Sequence, residues 1–357
     1  MTILYINMRY LTQRITGVQR FAFELCKKLD LLAAEQSNNL QLIGLMPKRD
    51  VHAQYANYQF KQIQVHRCGV LSGHLWEQIE LPYYARKHSL VNLCNSAPLM
   101  QQRQYITLHD VIFLNKLDSQ TYVFRLWYTL MAKFTAARAQ KIFTVSNNSK
   151  QEIIQQLKVV TQQVVVLGNA PSLHVYPYNE QILAQYNLQP QHYFLMVGSN
   201  SLRKNTHMVA QAFANNASLQ KTKLVIVGGK FANLAATKQL NAPNLIYTDY
   251  ISDSELRSLY HNALALIFPS ISEGFGIPII EAMAEQTPIL AADIPVLHEI
   301  CAASALYFNP YLVNELITQI ELVLHDSSII TQLKRLMAER LDQYSWSKFA
   351  KVMLEQF

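Results

Sequence analysis

Short apolar runs rich in β-branched residues alternate with longer stretches of helical period along the whole 357-residue chain, in two series separated by an aperiodic stretch. Strands joined through covering helices build parallel sheets, so this alternation restricts the chain to the α/β class. The first series predicts strands over 3–7, 40–46, 62–66, 90–93, 105–108, 141–145 and 164–167, with helices over 18–32, 122–139 and 150–157. The second predicts strands over 193–197, 224–227, 245–247, 264–268 and 289–291, with helices over 206–215, 254–262 and 278–284. Residues 168–190, which hold Asn169, Pro171, Pro177 and Asn179, collect turn formers and read as a linker. Two domains follow, 1–170 and 171–344, as the length also suggests, because a single core of this size would be unusual.

With 50% hydrophobic residues and only 10 Gly and 12 Pro, the chain is neither disordered nor collagen-like. The four cysteines, Cys26, Cys68, Cys94 and Cys301, are scattered and form no Cys-x-x-Cys pair, so reduced thiols in a cytosolic protein are expected. The N-terminus reads as a strand rather than an export signal, and no apolar run reaches the length of a membrane span.

Charge divides unevenly: residues 1–170 hold 19 Lys and Arg against 9 Asp and Glu, a balance of +10, and the remainder holds 12 against 15, a balance of −3. A basic first half suits a nucleic acid, an anionic membrane or a phosphorylated substrate, and equally a well-hydrated surface. Arg9, Arg14, Arg20, Lys48, Arg49, Arg86 and Lys87 are the candidate membrane-facing cations. Nucleic acid is disfavoured, because no recognition helix or RNP-like aromatic strand accompanies them.

The densest motif runs from Pro269 to Ala284. A buried strand ends at Phe268, a loop containing Glu273, Gly274, Phe275 and Gly276 follows, and Pro278 opens a helix. Such a turn aims backbone N–H groups and a helix dipole at a phosphate, and Glu273 and Glu281, eight positions apart, suit vicinal hydroxyls. An ordinary strand–helix turn has the same local pattern. A second loop, 198–205, places Arg203 and Lys204 at the same carboxyl edge, where two cations would neutralise a diphosphate leaving group. In the first half His109 and Asp110 end a strand, and Gly17 sits at a helix start without the further glycines of a dinucleotide fingerprint.

Taken together, Thr16-Gly17-Val18-Gln19, His109-Asp110, Val145-Ser146, Gly198 with Arg203-Lys204-Asn205, Glu273-Gly274-Phe275-Gly276, Glu281-Ala282-Met283 and Ser345-Trp346 resemble the retaining GT-B glycosyltransferases of the family 4 type. The resemblance implies two Rossmann-like domains facing each other across a crevice, with acceptor mainly on the first and nucleotide-sugar donor on the second. It implies that Glu281 holds the ribose, Glu273 the donor sugar, the 274–276 backbone the sugar–phosphate region, and Arg203 with Lys204 the diphosphate. Gly17 would approach the phosphates, His109 the donor sugar, and Tyr250 and Ile251 the base. Asp110 would lie on the acceptor side, and residues 345–357 would pack on the first domain. Two positions depart from the family: Ser199 stands where many relatives carry Arg, and Gln286 where they carry Gly.

The expected activity is retaining transfer of a sugar to a glycan or lipid-linked acceptor in bacterial surface polysaccharide synthesis. The expected location is the cytoplasm, peripheral on the membrane. No Asp-x-Asp element is present, so no divalent metal or other cofactor is expected. A sugar-nucleotide epimerase and a catalytically silent glycan-binding subunit are the alternatives.

Overall fold

The computed structural model describes residues 2–35, 40–114, 122–198, 201–228 and 240–357. The described chain forms two compact units. The first contains seven strands: β1 (Thr2–Asn7), β2 (Leu40–Pro47), β3 (Gln64–Cys68), β4 (Ser89–Asn92), β5 (Gln104–Thr107), β6 (Lys141–Thr144) and β7 (Val164–Val166). All pair in parallel, in the order β3-β2-β1-β4-β5-β6-β7. The second contains β8 (Tyr193–Val197), β9 (Lys223–Val227), β10 (Leu245–Thr248), β11 (Ala265–Phe268), β12 (Ile289–Ala292) and β13 (Leu306–Phe308). These are again all parallel, in the order β10-β9-β8-β11-β12-β13.

Each order reverses once, between β1 and β4 in the first sheet and between β8 and β11 in the second. At such a switch point the loops leaving adjacent strands go to opposite faces, which opens a crevice at the carboxyl ends. Phe194, Val209, Phe213, Leu224, Ile267 and Phe308 are fully buried in the second core, so its helices and central strands hold the loops on a rigid base.

Three corrections to the sequence reading follow. Residues 170–180 are not a free linker: Tyr178 donates to Glu285 at 2.8 Å, and Arg257 donates to the Tyr176 carbonyl and pairs with Glu285 at 2.7 Å, which ties the segment onto the second unit. The strand predicted over 62–66 starts at Gln64 because Asp30, buried below it, caps the amides of Lys61, Gln62 and Ile63 instead. Helical structure over 73–85 was missed altogether, because Gly73 and Pro82 interrupt its pattern. That run includes a π-helical turn, Trp76–Glu80.

The last helix, Trp346–Leu354, packs within the first unit. Trp346 meets Phe21 edge-on at 5.7 Å, and Phe357 meets Tyr105 at 4.6 Å. Phe349 lies where a Cβ on Gly168 would sit, and Gly168 has φ +90°, so that position requires glycine twice over.

Helix Ile277–Ala284 ends in a Schellman motif: Thr287 N–H donates to the Ala282 carbonyl at 2.9 Å and Gln286 N–H to Met283 at 3.1 Å. The motif needs a left-handed residue, and Gln286 supplies it at φ +56°. A side chain there costs about 1–2 kcal/mol, part of which glycine returns through unfolded-chain entropy. Gln286→Gly is therefore expected to stabilise the protein by about 0.5–1 kcal/mol, read as a higher urea midpoint at constant m-value; an unchanged or lower midpoint would show that Gln286 is unstrained.

Candidate active site

The loop after β8 and the loop after β11 flank the switch point of the second sheet. The two are joined by backbone and side chain: Ile271 N–H donates to the Arg203 carbonyl at 2.9 Å, and Arg203 Nη1 donates to the Ser272 carbonyl at 3.2 Å. Glu273, 9% exposed, lies between two cations. Lys204 Nζ is 2.5 Å from its Oε1 and Arg203 Nη1 3.0 Å from its Oε2. Burial alone would raise the Glu273 carboxyl, but Lys204 and then Arg203 outweigh it and hold the pKa below the usual range. The trio thus carries a net charge of +1, held rigid before any ligand arrives.

Lys204 is further confined. Its stem runs 3.5–3.7 Å from where a Cβ of Gly198 would stand, and its ammonium lies 5.0 Å from the centroid of the Phe268 ring. Neither Gly198 nor Phe268 was singled out for this role from sequence, since the contact is made across the sheet edge rather than along the chain.

Gly276 precedes the helix Ile277–Ala284 with φ +103°. A Cβ there would stand 3.3 Å from both Ile279 and Leu297, so both conformation and space call for glycine. The N-cap residues Gly276 and, on the other loop, Asn205 at the Thr206–Asn215 helix make no side-chain cap hydrogen bond. Two helix N-termini therefore present uncapped amides beside the cationic trio, an arrangement suited to phosphate oxygens. Glu281 lies in the second turn of this helix, is 6% exposed, and accepts a hydrogen bond from the hydroxyl of buried Tyr260 at 3.0 Å. Tyr260, twenty-one positions away, carried no sequence signal for this role.

Gly274 and Phe275 are buried with Glu273, and Phe275 meets Tyr344 edge-on at 5.7 Å. Tyr250 and Ile251 follow β10, the far edge strand, so they belong to the same carboxyl edge but two strands from the trio; Tyr250 is 59% exposed. Ser199 lies outside the described residues.

His109, Asp110 and Gly17 belong to the first unit. His109 lies two residues past β5 and is 8% exposed, with its backbone N–H donating to Asn95 at 2.8 Å and Nε2 3.3 Å from the Leu93 carbonyl. Phe21 packs against the ring at 4.6 Å. Burial lowers its pKa to about 4, the Leu93 carbonyl acting weakly the other way, so the ring is neutral at pH 7. A carbonyl accepts only, so Nε2 carries the proton and Nδ1 is the acceptor. Asp110 accepts from Ile112 N–H at 3.1 Å. Gly17 opens the exposed start of the helix Gly17–Glu35. Arg9, expected among the membrane-facing cations, is buried and paired with Glu77 at 3.3 Å.

Two parallel sheets of this strand order define the GT-B fold class, and solved structures share it across the whole chain. The complex of Anabaena Alr3699/HepE with UDP superposes with a TM-score of 0.71 at 15% identity over 99% of both chains. WaaG, a glycosyltransferase of lipopolysaccharide biosynthesis, gives 0.66 at 15% identity over 99% of this chain and 98% of that one. Residues 179–344, within the second unit, match the family described as Glycosyl transferases group 1. The O-antigen chain mannosyltransferase RfbU of Salmonella typhimurium is 31% identical over 234 residues, 64% of this chain and 62% of that protein. The serotype-specific mannosyltransferase WbdA of Escherichia coli is 28% identical over 269 residues, 70% of this chain but only 32% of its own length. The similarity thus spans less than two thirds of either relative.

Proposed function

We propose that the chain is a glycosyltransferase that moves a hexose, with retention at the anomeric carbon, from a nucleoside-diphosphate sugar to a glycan or lipid-linked acceptor of a bacterial surface polysaccharide. The observation that carries this reading is the Arg203–Lys204–Glu273 trio, net +1 and nine-tenths buried at its carboxylate, beside two uncapped helix N-termini at a sheet switch point. The family match and the mannosyltransferase relatives support transfer over epimerisation or silent binding, and favour mannose as the first sugar to test.

In this reading the trio meets the diphosphate, and Glu281, braced by Tyr260, holds the ribose. Glu273 accepts from the donor sugar as well as from its cations. The leaving diphosphate takes the acceptor proton on the attacked face, while Lys204 and Arg203 stabilise the charge that grows on it. The protein supplies orientation and charge and needs no side-chain nucleophile. The two cations take the place of a divalent ion, so no metal is required.

The acceptor reaches the first unit from an anionic membrane at the cytoplasmic face. Among the described residues no helix is long and apolar enough to cross a bilayer. The helix Tyr122–Arg138, however, exposes Leu126, Trp127, Leu130 and Phe134 along one stripe beside exposed Lys133 and Arg138. It touches the 73–85 segment, which exposes Leu75, Ile79 and Tyr83 ahead of Arg86 and Lys87, through the rings of Tyr128 and His74. An apolar face containing Trp and Tyr and edged by cations suits the headgroup boundary of anionic lipid.

One experiment tests the reading. Uridine and guanosine diphosphate hexoses are offered, in EDTA, with vesicles of phosphatidylglycerol carrying a lipid-linked acceptor. Transfer, together with co-sedimentation lost at high salt, is expected. Turnover restored only by added magnesium would overturn the metal-free mechanism, salt-independent binding to neutral vesicles would overturn the membrane role, and nucleotide binding without transfer would favour the silent subunit.

A further inference from the structure

The switch point of the first sheet holds a second charged cluster, separate from the Arg203–Lys204–Glu273 trio. Asn7 ends β1 and Asn92 ends β4, and the two side chains are hydrogen-bonded at 3.0 Å. Above them Glu77 is 1% exposed and accepts on Oε1 from three donors: Asn7 at 3.0 Å, Ser96 at 2.9 Å and Arg9 Nε at 3.3 Å. Arg9 Nη2 also donates to Ser96 at 3.1 Å. The other carboxylate oxygen, Oε2, holds Nδ1 of His74 at 3.2 Å. Burial would raise the Glu77 carboxyl, but the hydrogen bond from His74 and the charge of Arg9 outweigh it and keep it ionised.

His74 is the outward member of this chain of contacts, with its side chain 45% exposed. A carboxylate accepts only, so Nδ1 donates to Glu77 and Nε2 is turned away from it. The result is an oriented, exposed ring nitrogen backed by a buried charge, with the Tyr128 ring at 6.3 Å. The loop after β4 links this cluster to His109: Leu93 and Asn95 hold His109, and Ser96 holds Arg9 and Glu77.

Purely structural demands do not call for this construction. A buried ion pair stabilises a core little more than apolar residues of the same size would, and the Glu77 turn is π-helical, a form concentrated at functional sites. We propose that His74 is an acceptor-binding residue, sharing a hydrogen bond between its Nε2 and a hydroxyl of the acceptor glycan, and that Glu77, anchored by Arg9, is the residue that positions it. The inference rests on the transferase reading for the identity of its ligand, but binding is measurable without transfer.

The probe is a fluorescently tagged mannobiose, with binding followed by calorimetry on the full chain in the presence of nucleoside diphosphate. Where transfer occurs, the KM values for mannobiose and donor are measured separately. His74→Ala is expected to weaken mannobiose binding at least tenfold and raise its KM in step, with the donor KM within twofold and the fold retained by circular dichroism. His74→Asn, which keeps a hydrogen-bonding group beside Glu77, is expected to recover part of the loss. Unaltered mannobiose binding in His74→Ala would overturn the proposal, as would failure of the unaltered chain to bind mannobiose, or equal loss of donor and acceptor affinity with a lowered midpoint. Binding that depends on His74 in a chain that transfers nothing would leave this site standing and remove the transferase reading.

Discussion

Lys204→Ala is expected to lower kcat about 100- to 1000-fold at saturating donor, the size of effect seen when a group that stabilises developing charge is removed. The ammonium is fixed before the reaction by Glu273 at 2.5 Å, by Phe268 beside it and by Gly198 under its stem. In the proposed transfer a diphosphate gains negative charge as the glycosidic bond breaks, so a contact from Lys204 would strengthen towards the transition state and its loss would fall on turnover more than on binding. Glu281→Ala should act the other way, raising the donor KM with a smaller change in kcat, because a ribose contact is alike in both states. Single-turnover kinetics with each variant separates the two, and Lys204→Ala retaining full kcat would remove Lys204 from the chemistry. Since the alanine leaves buried Glu273 with Arg203 alone, circular dichroism and a urea melt accompany the kinetics, and Lys204→Gln gives a second, less disruptive neutral variant.

Glu77→Ala should destabilise the first unit by about 3–5 kcal/mol, the range for removing one partner of a buried ion pair. Arg9 would keep its charge at 7% exposure, and Asn7, Ser96 and His74 would each lose an acceptor. Against a typical total of about 5–15 kcal/mol this is a large fraction, so a chain unfolding in two steps should show only the step of the first unit moved to lower urea. A midpoint within error of the unaltered chain would mean that water replaces the carboxylate. The same carboxylate predicts acid sensitivity: its folded pKa is depressed, so its contribution is complete above the unfolded value of about 4.3 and is lost as pH falls through the lower folded value.

The parts of the candidate site legible in sequence were those whose chemistry is local. A strand, a Gly-containing loop and a helix opened by proline announce a phosphate-type turn wherever they occur, and Arg203, Lys204, Glu273 and Glu281 were readable from it. Tyr260 and Phe268 were not readable in their roles, because each meets the site across the sheet edge. Arg9 shows the reverse error: counted as a surface cation because arginine usually is one, it is buried by a partner 68 residues away. Gln286 is an intermediate case, where a missing glycine is visible in the chain and its strain only in the backbone, at φ +56°.

By itself the sequence determined the α/β class, the two series of strands and the loops that follow β8 and β11, because hydrophobic period and turn chemistry act over a few residues. Only the tertiary structure decided that Glu273 clamps both of its cations, that His109 is buried and neutral, and that Asn7, Arg9, His74, Glu77, Asn92 and Ser96 converge on one point. Strand order governs these contacts. It is set when each strand, covered by its helices, finds the neighbour that buries the most apolar surface, a choice made between segments tens of residues apart that no local pattern encodes.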